Sequence, residues 1–321
     1  MEPGGLAPVL IFAYNRRDKL NNCLESLESN SVDYKNATDL YIFCDGSKNA
    51  SDEKKVTETQ NHVKIYEQKS TYRSVTVQYN KQNKGLANSI IQGVNKIINI
   101  YGKAIVLEDD LLVSKDFLEY MNKALDYYQY NDRIGAISAY SYPIKILEQY
   151  EKDVYFLEKG DCWGWATWAD RWKNAEWANV DYKRYFKNIK LRNQFEKLEC
   201  YWDSTMYLQM KGKVDSWAIR WVYHLFRNHQ LTVYPRMSRI SNNGFDNSGT
   251  HCASEKKYTT DCVNDGEKVL FERNVVVDRN IAHQASIFPR NNVLNYYKNR
   301  VITILLGLLY SGENNEREKK I

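Results

Sequence analysis

Through the first half of the chain, short apolar runs alternate with stretches whose apolar positions recur every three or four residues. Val9-Leu10-Ile11-Phe12-Ala13 is continuously apolar, and Arg17 to Leu27 then places Leu20, Leu24 and Leu27 at helical spacing. Leu40 to Cys44 predicts a second strand closed by the turn formers Asp45-Gly46-Ser47, and a polar helix follows from Glu53 to Glu67. Val75 to Tyr79 reads as the third strand, Gly85 to Ile100 as a helix and the run from Ala104 as the fourth strand. Asp116 to Tyr130 is then helical and Ile134 to Ser138 extended. Parallel neighbours need a crossover of about a dozen residues, and these helices supply it. The fold class predicted is α/β, a mostly parallel sheet with helices on both faces.

The second half has a different texture. Trp163, Trp165, Trp168, Trp172 and Trp177 crowd together, no low-complexity linker separates the halves, and no internal repeat is present. One continuous domain over 6–287 is expected, with a helical tail over 288–321. In that tail Val301 to Tyr310 is apolar and follows Lys298 and Arg300. It is too short to span a bilayer and reads either as a terminal helix docked on the core or as an interfacial membrane anchor.

Composition narrows the class. With 43% hydrophobic and 26% charged residues over 321 positions, the chain can bury a full core. The net charge of +5 is mild, and without a long basic block it gives no nucleic-acid signature. The six cysteines form no C-x-x-C pair and read as buried thiols, although Cys252 and Cys262 would close a loop in an oxidising compartment. Met1 to Pro8 shows neither a basic n-region nor an apolar h-region, so a cytoplasmic protein is expected.

The fourth strand ends in Glu108-Asp109-Asp110, and nothing about folding asks for three adjacent carboxylates. At the carboxyl end of a buried strand, where α/β sheets bind ligands, the expected occupant is a divalent cation carrying phosphate oxygens. Ala13-Tyr14-Asn15-Arg16 and Asp45-Gly46-Ser47 end their strands on the same edge. Asp45-Gly46 taken alone reads first as an ordinary turn. No Walker loop or G-x-G-x-x-G fingerprint is present, which counts against P-loop enzymes and typical dehydrogenases.

Several segments together resemble the GT-A glycosyltransferases, and more narrowly the N-acetylglucosaminyltransferases that add GlcNAc to α-mannose. They are Pro8 to Arg16, Glu108-Asp109-Asp110-Leu111 with Asp116 to Tyr120, Ile137 to Tyr140, Gly164-Trp165, and Pro235 to Arg239 running into Gly244. The resemblance implies a UDP-sugar donor held with Mn2+ or Mg2+. It assigns Asp110 to the metal, Glu108 and Asp109 to ribose and sugar, Asp45 to the uracil and Arg16, with Ala13 and Asn15, to the nucleotide. Lys84 and Gly85 open a helix where related enzymes place a basic residue near the donor; an ordinary helix start is the other reading.

The resemblance also points to a base, an acid just before a tryptophan. Here it is Asp215, in Val214-Asp215-Ser216-Trp217, although the family carries two adjacent acids where this chain has Asp then Ser. Asp203 is the fallback, and a helix N-cap is the structural reading of either. Trp165 is expected near the sugar, while Trp168 and Trp172 also suit helical packing. Ser241 to Cys252 is rich in turn formers and is expected to form a lid, in which His251 would reach the metal or diphosphate.

These residues together predict a metal-dependent inverting GT-A enzyme with a donor half at about 6–140 and an acceptor half at about 141–287. Its partners would be a UDP-sugar and a glycan or lipid-linked saccharide. The missing leader departs from the Golgi members and favours bacterial surface polysaccharide synthesis, with the tail as a peripheral contact on the inner membrane face. A retaining transferase, a non-catalytic glycan-binding module and a nucleotidyltransferase are the alternatives.

Overall fold

A computed structural model describes residues 5–177, 181–244, 256–258, 268–290 and 293–317. Its strands are β1 (Val9–Ala13), β2 (Asp39–Cys44), β3 (Ser74–Tyr79), β4 (Lys103–Glu108), β5 (Leu111–Val113), β6 (Ile134–Ser138), β7 (Val154–Leu157), β8 (Trp165–Trp168), β9 (Leu231–Pro235) and β10 (Ile240–Asn242). Eight form one sheet in the order β3-β2-β1-β4-β8-β6-β9-β7, and β10 pairs with β5 in a separate ribbon.

The first four strands are parallel, as the helical crossovers between them require. β1 is buried at every position, consistent with helices covering both faces. The second half continues the same sheet: β8 runs antiparallel to both β4 and β6, and β9 lies parallel to β6. The carboxyl ends of β1, β2, β4 and β6 therefore share one edge. β4 stops at Glu108, and Asp109 and Asp110 occupy the turn before β5.

Trp168, which also suited helical packing, instead ends a strand, while Trp172 closes the short helix Ala169–Trp172 that follows. Trp165, Trp172, Trp177, Trp217 and Trp221 form one contiguous aromatic cluster, with Trp165 stacked on Trp172 at 5.3 Å and on Trp217 at 5.1 Å. Rings at these separations gain contact energy beyond their buried area.

The last helix, Val293–Arg317, packs against the helices Tyr182–Lys187 and Trp202–Met210. At Gly307 a Cβ would lie 2.7 Å from Phe186 and from the Arg192 guanidinium, so only glycine permits this approach. Arg192 donates to the Thr303 and Ile304 carbonyls at 2.8 and 3.3 Å. It also forks onto Asp203 at 3.0 and 2.9 Å, and Arg300 of the last helix reaches the same carboxylate. The docked reading of this helix is the observed one. Among the described residues no helix is long and apolar enough to cross a membrane.

Candidate active site

Arg16 precedes the helix Arg17–Glu28 at the end of β1 and turns its guanidinium onto the acids after β4. It reaches both oxygens of Asp109, and its other terminal nitrogen donates to Asp110 Oδ2 at 2.8 Å. The positive group among the acids is thus first a side chain of this protein. Burial works against the Arg16 charge, but Asp109 and Asp110 outweigh it and hold the guanidinium protonated.

One arginine does not balance three carboxylates. Burial, joined by the charges of Asp110 and Asp109, holds Glu108 well above the usual carboxylate range. Asp109 is pushed up to about 6 by burial, with Arg16 pulling the other way and Asp110 adding repulsion. The site therefore carries an unmet demand for positive charge, and every donor in it is a hard oxygen. Among the described residues no group of three or more His, Cys, Asp or Glu side chains is arranged to hold a metal. His251 lies outside the described residues, as does the lid segment from 245 to 252.

The start of that segment is described, and it lies against the acids. Asn243 N–H donates to the Asp110 carbonyl at 2.8 Å, and Lys19 reaches the Asn243 carbonyl at 2.5 Å. A Cβ on Gly244 would fall 2.3 Å from Asp110 Oδ2, so any larger residue here would have to displace the Asp110 carboxylate. The ribbon β5–β10 brings the segment there, and a buried pair fastens it, with Arg239 Nε 2.9 Å from Asp116 Oδ2. The segments Asp116 to Tyr120 and Ser238 to Gly244, distant in sequence, are therefore one device for covering Asp110.

Asp45 has a use that its sequence does not announce. Its carboxylate accepts the backbone N–H groups of Gly46, Lys84 and Gly85, each at 3.0 Å, and the Asn80 amide at 3.2 Å. Gly85 is the N-cap of the helix Leu86–Tyr101 and has no side-chain cap of its own. The anion at this helix start is thus Asp45 itself, and the Lys84 and Gly85 amides are already engaged. Lys84 is exposed and its ammonium donates to Gln92 at 3.0 Å, along the helix. Ala13 is buried, its carbonyl accepting from Asp45 N–H at 2.9 Å, while Asn15 is half-buried on the rim.

Trp165 is 1% exposed and inside the tryptophan cluster, so its faces are not free for a sugar. Successive side chains of a strand point to opposite faces, and Trp165 points into the core rather than toward the expected sugar. Trp163, two positions earlier, is half-buried and meets Tyr140 edge-on at 4.8 Å. Beside it, Asp161 accepts the Cys162 and Trp163 N–H groups at 2.7 and 2.9 Å, but its Oδ2 is buried without a partner. Burial, with the Glu199 charge adding to it, pushes Asp161 up to about 6. Sequence reading passed over Asp161; its position two residues before Trp163 was the available signal.

Asp215 lies just before the helix Trp217–Arg227. Trp217 stacks on Trp165, which pairs with Val106 two residues before Glu108, so the start of this helix lies beside the end of β4. Ser216 caps the helix, its hydroxyl accepting Ile219 N–H at 3.2 Å, so Asp215 is not the cap. Asp215 is largely exposed and pairs with Arg220 at 2.7 Å, a side chain itself held by the Trp177 carbonyl at 2.7 Å. Asp203 is fully buried between Arg192, Arg300 and the Tyr185 hydroxyl, which rules out its use as a base.

The profile described as Glycosyl transferase family 2 matches residues 9–192. No curated protein sequence matches the chain. Among solved structures, the mannosyltransferase PcManGT from Pyrobaculum calidifontis in complex with GDP-Man and Mn2+ is 14% identical with a TM-score of 0.37. That match covers 53% of this chain and 48% of the other. S. aureus TarS 1-349 in complex with UDP-GlcNAc is 10% identical with a TM-score of 0.39, over 73% of this chain and 57% of that one. The chain covers less than two thirds of the length of either structure.

Proposed function

We infer the reaction from one premise: the chain belongs to Glycosyl transferase family 2 and is a glycosyltransferase. We propose that it transfers a sugar, GlcNAc or a related hexose, from a UDP-sugar to a glycan hydroxyl with inversion at the anomeric carbon. The observation that carries this reading is the set Glu108, Asp109 and Asp110 with, among the described residues, one arginine, Arg16, paired to it, on the edge where parallel strands end. A donor diphosphate brings its own negative charge, so such a site accepts it only together with a cation.

Asp110 would hold that cation, Mn2+ or Mg2+, under the Asn243-Gly244 segment. When bound, the ion neutralises the diphosphate as it departs. Arg16, Glu108 and Asp109 bind the nucleotide and its sugar, and Asp45 fixes the backbone at Lys84 and Gly85 that walls the donor. Asp215 takes the proton from the acceptor hydroxyl, whose oxygen attacks the anomeric carbon while the bond to the diphosphate breaks and UDP leaves. Arg220, paired to Asp215, orients the carboxylate. The acceptor is a glycan or a lipid-linked saccharide, and the half-buried Trp163, backed by Tyr140, offers it an aromatic surface.

The test is a donor panel. Incubation with UDP-sugars and Mn2+ should give slow UDP release with at least one donor, and a suitable acceptor should yield a β-linked product from an α-linked donor. A panel with neither UDP release nor UDP-sugar binding would overturn the reading, and an α-linked product would replace inversion by retention.

A further inference from the structure

The helix Val293–Arg317 has two unlike faces. Tyr296, Thr303 and Gly307 turn inward with Arg300, at the spacing of a docked stripe. Opposite them Leu294, Tyr297, Val301, Leu305 and Leu309 stand outward, each between 56% and 82% exposed. The outward stripe continues for about four turns without an acid: residues 293–310 carry Lys298 and Arg300 and no Asp or Glu. Scattered exposed apolar residues need no explanation, but a continuous stripe of this length marks a contact surface.

The surface around it is basic. Residues 181–213, which form the bed of this helix, contain eight Lys or Arg against four acids, Asp181, Glu196, Glu199 and Asp203. Asp203 and Glu196 are buried, and Glu199 pairs with Lys159 at 2.5 Å. Arg184, Lys190 and Lys298 are exposed, as is Asp181. The charge that this face presents is therefore positive. Two copies joined through it would set like charges together, whereas an anionic surface complements both the apolar stripe and its basic border.

We propose that the outward face of this helix lies in the interface of an anionic lipid bilayer, while the inward face stays locked to the domain by Asp203, Arg192 and Arg300. The two sequence readings of the tail, docked helix and interfacial anchor, then hold together on opposite faces. The inference stands apart from the sugar-transfer reading and is tested without it.

The experiment is co-sedimentation of the full chain with phosphatidylcholine vesicles, with and without phosphatidylglycerol. The chain should pellet with the anionic vesicles, less so at high salt and little with phosphatidylcholine alone. Val301→Asp combined with Leu305→Asp should weaken partitioning roughly tenfold or more, because two exposed apolar side chains are lost from the contact. Lys190→Glu with Lys298→Glu leaves the stripe intact and should weaken binding to anionic vesicles selectively, which keeps the test decisive if the first variant fails to fold. Absence of pelleting, equal binding to neutral vesicles, or binding unchanged in the variants overturns the proposal. A wild-type dimer that the Asp variant converts to monomer, with no vesicle binding, overturns it in favour of a second copy.

Discussion

Asp110 and Asp203 are both held by arginine, yet the chain surrounds them differently. Asp203 is fully buried and meets two guanidiniums, Arg192 and Arg300, and the Tyr185 hydroxyl. Asp110 stands with two further acids and shares one guanidinium with Asp109. The first cluster joins four helices and leaves its acid nothing to bind. The second leaves negative charge over at the edge of the sheet. A charged cluster that closes on itself holds a fold together, and one that does not close is where a ligand supplies the rest.

Substitution should separate the two clusters. Asp110→Asn is expected to lower UDP release in the presence of Mn2+ by about a thousandfold, since the cation's stabilisation of the leaving group is worth several kcal/mol. Its stability to urea should not fall, because one repulsion is removed. Asp203→Ala should do the reverse, losing about 3–5 kcal/mol of stability by leaving two buried arginines unpaired. If Asp110→Asn unfolds the protein, or Asp203→Ala leaves its urea midpoint unmoved, the contrast is wrong.

A smaller effect divides binding from chemistry at the same edge. Asp215→Asn should slow transfer by about a hundredfold while UDP-sugar affinity, read by calorimetry, stays unchanged. Full activity in that variant would remove Asp215 from the role of base.

Asp161 is an intermediate case and tests the electrostatic argument by pH. Its pKa of about 6 in the folded chain exceeds the ordinary value of 3.8, so between those values the folded state binds more protons than the unfolded one. Stability contributed at this site is present below about pH 4 and lost as pH rises through about 6. Asp161→Asn keeps the acceptor for the Cys162 and Trp163 amides and removes the charge. It should be more stable than the parent at pH 8 by on the order of 1–2 kcal/mol, with the gain fading toward pH 4. An equal effect at both pH values would show that burial of the charge is not the cause.

The contrast also explains what could be read from sequence. β1 to β4 and their helices were legible because each apolar run is bounded by turn formers and each helix repeats its apolar positions. β7, β8 and β9 are short, buried along their whole length and without alternation, so no period marks them. The carboxylates were legible as a site because three acids in a row have no structural reason. Their partner Arg16 came from another strand end, and the role of Asp45 as the clasp of Lys84 and Gly85 depends on hydrogen bonds across forty residues. Trp165 misled because glycine-tryptophan names a segment without saying which face of the strand the ring takes. Asp203 gave no sign of its two arginines, which arrive from separate helices.

If the open cluster at the end of β4 takes a nucleotide-sugar together with a divalent cation, UDP and Mn2+ should bind there as a pair. Calorimetric titration of UDP into the protein, with Mn2+ and then with EDTA, tests it on the unaltered chain and on Asp110→Asn. The parent should bind UDP more tightly with Mn2+, and this increment should vanish in the variant. UDP affinity that is the same in all four titrations would contradict it.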